Sequence, residues 1–269
     1  MSIVKTVATV IEQDGPANSV IEQGRRIYRH PVTHEVWFSV TTVLPTPEGL
    51  VGWSGWVAAQ HVMEYLPKLV QDSRPGNRPC GRTYHRCSDH DWKTCEQRRC
   101  NACSECNKRT IADQHEIQSR RRADEGERVH DVARQWVRLG GETISYADDI
   151  KPYVEKWREW RVDFGIRPED VLHAEATVIN RRHGYAGTLD LIVRIYADRS
   201  DKARRLVADI LRIPEERAAD RSIVVLVDYK THEKEEAAFY SDMALQGSAY
   251  RYAEAIMHKD GDEEPLPAV

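Results

Sequence analysis

Hydrophobic residues recur along this chain with two different periods. Runs rich in β-branched residues predict strands, and they lie at 26–30, 35–44, 171–180, 187–193 and 223–230. Apolar residues repeated every three or four positions predict helices, and they lie at 50–66, 108–139, 150–164, 204–213 and 235–257. Strands and helices interleaved over 269 residues predict an α/β (α+β) fold with a mixed central sheet flanked by helices.

Proline and glycine residues predict where several of these elements end. The turn at 31–34 predicts a hairpin between the first two strands, and Pro67 is expected to stop the helix that starts at residue 50. On that helix, Trp53 and Trp56 are predicted to pack in a core rather than stack on bases. Residues 1–24 and the acidic tail from His258 are expected to be loosely ordered.

Composition and charge limit the class of protein. The net charge is −4, so no overall positive field indicates a nucleic-acid partner, and any attraction for phosphate must be local. No apolar run reaches the length of about 20 residues that a membrane helix requires, and the N-terminus has no signal-peptide pattern. We therefore expect a cytoplasmic protein with no membrane partner.

A segment from 71 to 108 interrupts the hydrophobic pattern and contains every cysteine of the chain. In a chain without a secretion signal, clustered cysteines favour metal binding over disulfides. The candidate ligands are Cys80, Cys87, Cys95, Cys100, Cys103, Cys106, His85 and His90. We expect structural Zn²⁺ at one or two sites drawn from this set. The predicted organisation is an N-terminal hairpin and helix at 1–70, a cysteine-rich insertion at 71–108, and a main domain at 109–269.

Charged residues lie on or directly after two of the predicted strands. Asp190 lies in the strand 187–193, and Asp228 and Lys230 end the strand 223–230 with both side chains on one face. Two carboxylates on neighbouring strands require a counter-charge, which a divalent cation can supply. An ammonium group beside such a cation predicts a hydrolytic site.

These motifs resemble the core of the PD-(D/E)XK nucleases. Gly187-x-x-Asp190 and Asp228-x-Lys230 carry the likeness, and His130 upstream and Gln246-x-x-x-Tyr250 downstream narrow it to the RecB-type branch, which includes phage exonucleases and CRISPR-adaptation nucleases. The resemblance covers about 126–256, and a weaker similarity lies at 39–44. It implies a restriction-endonuclease-like core.

The resemblance also implies roles for particular residues. Asp190, Asp228, His130 and the carbonyl of Tyr229 would bind catalytic Mg²⁺ or Mn²⁺, and Lys230 would hold the nucleophile. Glu175 would join the catalytic residues or support them. Gln246 would lie against Lys230 or the DNA backbone, and Tyr250 would lie near the phosphate or stack on a terminal base.

The function expected from this combination is that of a DNA exonuclease acting on single strands or duplex ends in phage or bacterial recombination and repair, with a recombination protein as a partner. The alternatives are a CRISPR-adaptation-type nuclease, a non-catalytic zinc-stabilised DNA-binding protein, and a metalloregulatory protein centred on 80–106. Some RecB-type relatives carry a 4Fe–4S cluster, but with one early cysteine and three late ones. Here all six cysteines precede His130, which favours zinc over the cluster.

Overall fold

A computed structural model describes the chain at residues 11–12, 18–22, 25–44, 50–72, 104–141, 143–231 and 241–268. The chain forms two compact units. The first comprises Met1–Pro45 and Arg128–Val269, and the second comprises Thr46–Glu127. The predicted division at 70/71 and 108/109 stays a prediction, since the cysteine-rich segment between those positions lies almost wholly outside the described residues.

The first unit is built on a curled mixed sheet flanked by helices, so the expected mixed α/β class is confirmed at that level. Nine strands form this sheet within the described part of the chain: β1 (Ile11–Glu12), β2 (Ser19–Glu22), β3 (Arg25–Arg29), β4 (Val36–Ser39), β5 (Val171–Asn180), β6 (Tyr185–Tyr196), β7 (Ser222–Val227), β8 (Ala255–Met257) and β9 (Glu263–Pro265). The main path runs β2-β3-β4-β6-β5-β8-β9. β4 pairs with β6 and β1 with β5 in parallel, and the other pairs are antiparallel.

The long hairpin β5–β6 is central, and each of its strands changes neighbour part-way along. On β6, residues up to Ala186 pair with β4, and residues from Leu191 pair with β7. On β5, Ala174 pairs with β1, and the pairing with β8 begins at Thr177. The sheet therefore divides at the level of residues 175 and 190, where a groove for side chains can form.

Seven α-helices accompany these strands within the described residues: α1 (Val40–Val43), α2 (Leu50–Asp72), α3 (Ser104–Ala112), α4 (Gln114–Arg138), α5 (Lys151–Asp163), α6 (Asp201–Leu211) and α7 (Ser241–Arg251). Three hydrophobic clusters cover the central hairpin. One joins strands alone, through Tyr28, Trp37, Ile179, Ala186 and Met257, and the other two, called here the larger and the smaller core, also include helices. The larger joins the last three turns of α4, α5 and α6 to the sheet, with the buried edge-to-face pair Trp136–Trp157 at its centre. The smaller joins α1 and α7 to the sheet through Val40 and Tyr250.

Several predicted boundaries are confirmed and others are wrong. The strand 171–180 and the helices near 150–164 and 204–213 are confirmed. Residues 40–43 form a helical turn instead of strand, since pairing of β4 with β6 ends at Ser39 and Val40 is buried in the smaller core. The prediction that Pro67 stops this helix is wrong. α2 continues through it to Asp72, because the turns on either side keep their own hydrogen bonds, even though the proline removes one N–H donor and its ring crowds the carbonyl four residues earlier.

The predicted helix 108–139 consists of two helices separated at Asp113. Within the predicted helix 235–257, α7 ends at Arg251 and residues 255–257 form β8.

Described parts of both segments that were predicted to be loosely ordered form strands. Within 1–24, Ser19–Glu22 pairs with β3. The acidic tail forms β9, because its carboxylates find partners on neighbouring elements. Arg181 holds Glu263 with an Nη1–Oε2 distance of 2.8 Å. Nε2 of His258 lies 3.2 Å from Oε1 of Glu264.

Helices α2 and α3 and the first half of α4 make up the described part of the second unit. Trp53 is half-buried there, with the Arg122 guanidinium 5.8 Å from its ring centroid. The prediction of core packing is wrong for Trp56, which is 56% exposed. Across the described residues, no helix combines the length and the apolar character that a membrane crossing needs.

Candidate active site

His130 reaches the site from helix α4. The helix packs on the sheet through Val129, Val132 and Ala133, all buried, and this fixes the height of the imidazole above β6. Nδ1 of His130 lies 3.1 Å from Oδ1 of Asp190 and 3.9 Å from Oε1 of Glu175. The structure thus places the upstream histidine against the carboxylate of the Gly-x-x-Asp strand.

Glu175 lies in β5 opposite Asp190 and has a backbone φ of +54°. A residue with a Cβ rarely adopts this left-handed conformation, because the Cβ crowds its own backbone. The residues on either side of it belong to different cores, Ala174 to the larger and Ala176 to the smaller, while both stay paired with β6 in an unbroken register. On β6, Leu191 and Leu189 divide between the two cores in the same way. Strained backbone of this kind is often found at functional sites.

One nitrogen and two carboxylate oxygens converge at this level of the sheet. The ligand atoms of His130, Glu175 and Asp190 lie within 4.8 Å of one another, and the Asp190 side chain is only 7% exposed. An imidazole and two carboxylates suit a divalent cation such as Mn²⁺. The donor set therefore fits the catalytic metal that the sequence predicts. Glu175, which was not among the predicted metal ligands, is a candidate ligand in this arrangement.

Asp228 and Lys230 follow directly after β7, which ends at Val227. The prediction that both residues belong to the strand is therefore wrong. Their side chains still lie together, with Nζ of Lys230 2.5 Å from Oδ2 of Asp228. Oδ1 of Asp228 accepts a hydrogen bond of 3.2 Å from Nε2 of Gln246. Asp228 is thus held by Lys230 and Gln246, whereas the group of three converging ligands contains Asp190 and not Asp228.

Tyr229 links the two acidic motifs through its backbone and its ring. Its N–H donates to Oδ2 of Asp190. Its ring packs edge-on against the imidazole of His130, with 5.6 Å between centroids, and against Trp160 at 6.2 Å. Burial raises the pKa of the Tyr229 phenol, which keeps it neutral. The Tyr229 ring thus packs the Asp-x-Lys segment against helices α4 and α5.

Gln246 and Tyr250 lie one turn apart on α7 and contact each other. Nε2 of Gln246 donates to the Tyr250 hydroxyl at 2.8 Å. The Tyr250 ring is 3% exposed and packs so closely on Gly187 that a Cβ there would lie 2.5 Å from Cε1. The interpretation of Tyr250 as a stacking platform does not fit this burial. Gln246 contacts Asp228, where the resemblance implied Lys230 or DNA.

Electrostatic effects within the site match its geometry. Burial by itself lowers the pKa of His130, but the hydrogen bond to Asp190 and the charges of Asp190, Glu175 and Asp228 outweigh it and raise that pKa. Burial, and then the nearby charge of Asp190, raises the pKa of Asp228, while Lys230 opposes the shift. The cluster carries an excess of negative charge, which a bound cation would offset.

Sequence reasoning undervalued Glu175 because an isolated glutamate on a strand gives no signal, and its left-handed backbone could not be read from residue type. Of the predicted structural-metal ligands, only Cys106 is described, and it is buried in the second unit. The other candidates, Cys80, Cys87, Cys95, Cys100, Cys103, His85 and His90, lie outside the described residues.

No family model matches the chain, and comparison with curated proteins and with solved structures likewise found no match.

Proposed function

We propose that the protein is a metal-dependent deoxyribonuclease with a restriction-endonuclease-like core, acting on DNA ends as an exonuclease. The observation that supports this most strongly is the convergence of His130, Glu175 and Asp190 beside the Asp228–Lys230 pair. These residues come from α4, β5, β6 and the segment after β7, so no single local motif accounts for their meeting. Cation ligands with a nearby ammonium suit phosphodiester hydrolysis, because together they can activate water and stabilise the charge that builds on the phosphate.

His130, Glu175 and Asp190 would hold Mg²⁺ or Mn²⁺, and a bound cation supplies acidity to water and neutralises charge on the phosphate. Lys230, 42% exposed, can contact a phosphate oxygen or the attacking water from its place beside Asp228. Asp228 has a raised pKa and is within hydrogen-bond reach of that ammonium, so it can take up a proton during attack. Gln246 fixes the carboxylate plane of Asp228 from α7.

The segment 71–108 is proposed to bind structural Zn²⁺, for the reasons of composition given above. Absorbance of freshly purified protein tests this choice, because an iron–sulfur cluster gives a broad charge-transfer band near ~400 nm and zinc thiolates do not. A colourless protein with stoichiometric zinc by elemental analysis is the expected result. A brown protein with acid-labile sulfide would establish the 4Fe–4S alternative.

The activity is tested with linear and circular DNA, single- and double-stranded, labelled at either end and incubated with Mn²⁺ or with EDTA. We expect products from linear DNA only, and only with the metal. Asp190→Asn and Lys230→Ala should abolish cleavage, with a loss on the order of 10² or more for the lysine.

Lys202→Ala is the matched control. Nζ of Lys202 lies 2.6 Å from Oδ2 of Asp163, so the same kind of ion pair is removed at the surface. Full activity of this variant is expected. DNA binding without chelator-sensitive products would favour the non-catalytic DNA-binding protein instead.

A further inference from the structure

The second unit contains a cleft of about 940 Å³ between α2 and the α3–α4 pair. This volume lies at the upper end of the range of small-molecule sites. Its walls are formed by Trp56, Gln60 and His61 on α2, and by Gln114, Gln118 and Arg121 on α4, among others. The nuclease motifs contribute no residue to it.

The α2 wall of the cleft presents aromatic rings. Trp56 is 56% exposed, although an indole is among the costliest side chains to leave in water. One turn further on, the His61 and Tyr65 rings lie 4.7 Å apart between centroids. Burial lowers the pKa of His61, so at neutral pH it offers a neutral ring rather than a cation. Flat faces of this kind suit stacking on a planar ligand.

The cleft is lined by carboxamides as well. Gln60, Gln114 and Gln118 each bring a group that can donate and accept hydrogen bonds. Gln114 is 7% exposed, and its Nε2 donates to the Thr110 carbonyl at 3.1 Å, which fixes the plane of this amide within the wall. An apolar peptide would leave such groups without partners, whereas the edges of a nucleobase present matching donors and acceptors.

We propose that this cleft binds unpaired nucleobases of a single-stranded DNA. The ligand's identity rests on the proposed nuclease function, since the strand would be the substrate. Two cations, Lys68 and Arg121, and one carboxylate, Glu64, are among the lining residues, so phosphate attraction contributes only modestly. Two phosphate contacts would give log–log salt dependence with a slope of about −1.4. Base stacking on Trp56 supplies most of the preference for a normal strand over an abasic one.

Binding is measured by fluorescence anisotropy with the full chain in buffer free of Mg²⁺, Mn²⁺ and chelator, so that cleavage does not occur and the proposed structural zinc is retained. The probes are a labelled single-stranded oligodeoxynucleotide, an abasic strand of equal length and charge, and a duplex. The parent protein should bind the normal strand more tightly than the abasic one. Trp56→Ala should weaken binding to the normal strand roughly 5- to 150-fold and leave the abasic strand unaffected. Trp56→Phe, which keeps a ring, should restore most of the affinity.

Tyr252→Ala is the control, because Tyr252 is 70% exposed but belongs to the first unit. It should bind every probe as the parent does, and circular dichroism should show that all variants are folded. Equal affinity of the parent for normal and abasic strands would overturn the cleft proposal, and so would unchanged binding by Trp56→Ala. Base-dependent binding by a protein that never cleaves DNA would uphold the cleft and refute the nuclease proposal alone.

Discussion

Glu175 combines two unfavourable features in one residue, a left-handed backbone and a carboxylate directed at Asp190 and His130. The left-handed conformation costs roughly 1–2 kcal/mol at a residue with a Cβ, and the neighbouring carboxylate repels its charge. A residue placed there for stability alone would be a glycine. The glutamate is consistent with a backbone strained to position a ligand.

Two substitutions at this position separate strain from charge. Glu175→Gln removes the charge and keeps the strain, whereas Glu175→Gly removes both. We expect the glycine variant to have the higher free energy of unfolding, by about 1 kcal/mol. Relief of the backbone strain stabilises it, and the greater chain entropy of glycine in the unfolded state offsets roughly 0.5–1 kcal/mol of that gain. Urea unfolding in EDTA measures the difference. A glycine variant no more stable than the glutamine variant would show that the backbone is not strained.

Gln246 supports two partners at once, the Asp228 carboxylate and the Tyr250 hydroxyl. Gln246→Leu leaves both without this donor and should reduce the free energy of unfolding by about 1–3 kcal/mol, with Tyr250→Phe costing less. Because the two residues share a hydrogen bond, the double variant should fall short of the summed losses by on the order of 1 kcal/mol.

The control for this cycle pairs Gln246→Leu with Lys202→Ala, whose ion-pair partner is Asp163. That combination shares no hydrogen-bond partner and should be additive within about 0.5 kcal/mol. If the effects of Gln246→Leu and Tyr250→Phe on the free energy of unfolding were also additive, the hydrogen bond between the two residues would contribute nothing to stability.

Among the elements, β6 and α7 approach each other at Gly187, and this contact explains the glycine of the Gly-x-x-Asp motif. A Cβ at position 187 would lie 2.5 Å from the Tyr250 ring and 3.3 Å from Cγ2 of Val40. Both neighbours belong to the smaller core, so neither can move freely. The motif glycine therefore lets α7 pack close enough for Gln246 to reach Asp228.

Gly187→Ala should destabilise the protein by about 1–3 kcal/mol through overpacking and should impair cleavage by displacing α7. Gly247 offers the matched control on that same helix, since a Cβ there meets nothing within 4 Å. Gly247→Ala should instead stabilise the protein by up to about 1 kcal/mol through helix propensity. Thermal unfolding and the DNA assay measure both effects. Equal stability of the two variants would contradict the close packing inferred at Gly187.

For the molecule as a whole, a cation that binds only the folded site must stabilise the fold. At Mn²⁺ one hundredfold above its Kd, the free energy of unfolding should rise by about 2.7 kcal/mol relative to EDTA. His130→Ala and Asp190→Asn should abolish most of this gain. Manganese is chosen because Mn²⁺ prefers oxygen ligands and binds thiolates weakly, so the cysteine-rich segment contributes little to the stabilisation.

His115 provides the control for the histidine variant, since it lies on the same helix but in the second unit. His115→Ala should keep the full stabilisation by Mn²⁺. A gain that survives His130→Ala unchanged would place the cation elsewhere in the protein.

The sequence alone determined the elements whose patterns are local. The β-branched run 171–180, the amphipathic helix near 150–164 and the i, i+4 pair Gln246–Tyr250 follow from periodicities within one segment, and the structure confirms them. The placement of Asp228 and Lys230 on one face was predicted from strand alternation, but β7 ends at Val227 and their ion pair forms in the segment after it. Such features depend only on residues that are close together in sequence, so the order of the residues is enough to predict them.

Tertiary structure decided the rest. β8 forms where a helix end was predicted, because its partner strand β5 lies far away in sequence. β9 forms where a frayed tail was predicted, because Glu263 and Glu264 contact the distant residues Arg181 and His173. Glu175 enters the site through a backbone conformation that its residue type disfavours, and Tyr250 of α7 is buried against Gly187 of β6. Contacts between distant segments set these outcomes, and no local pattern of hydrophobic and polar residues encodes them.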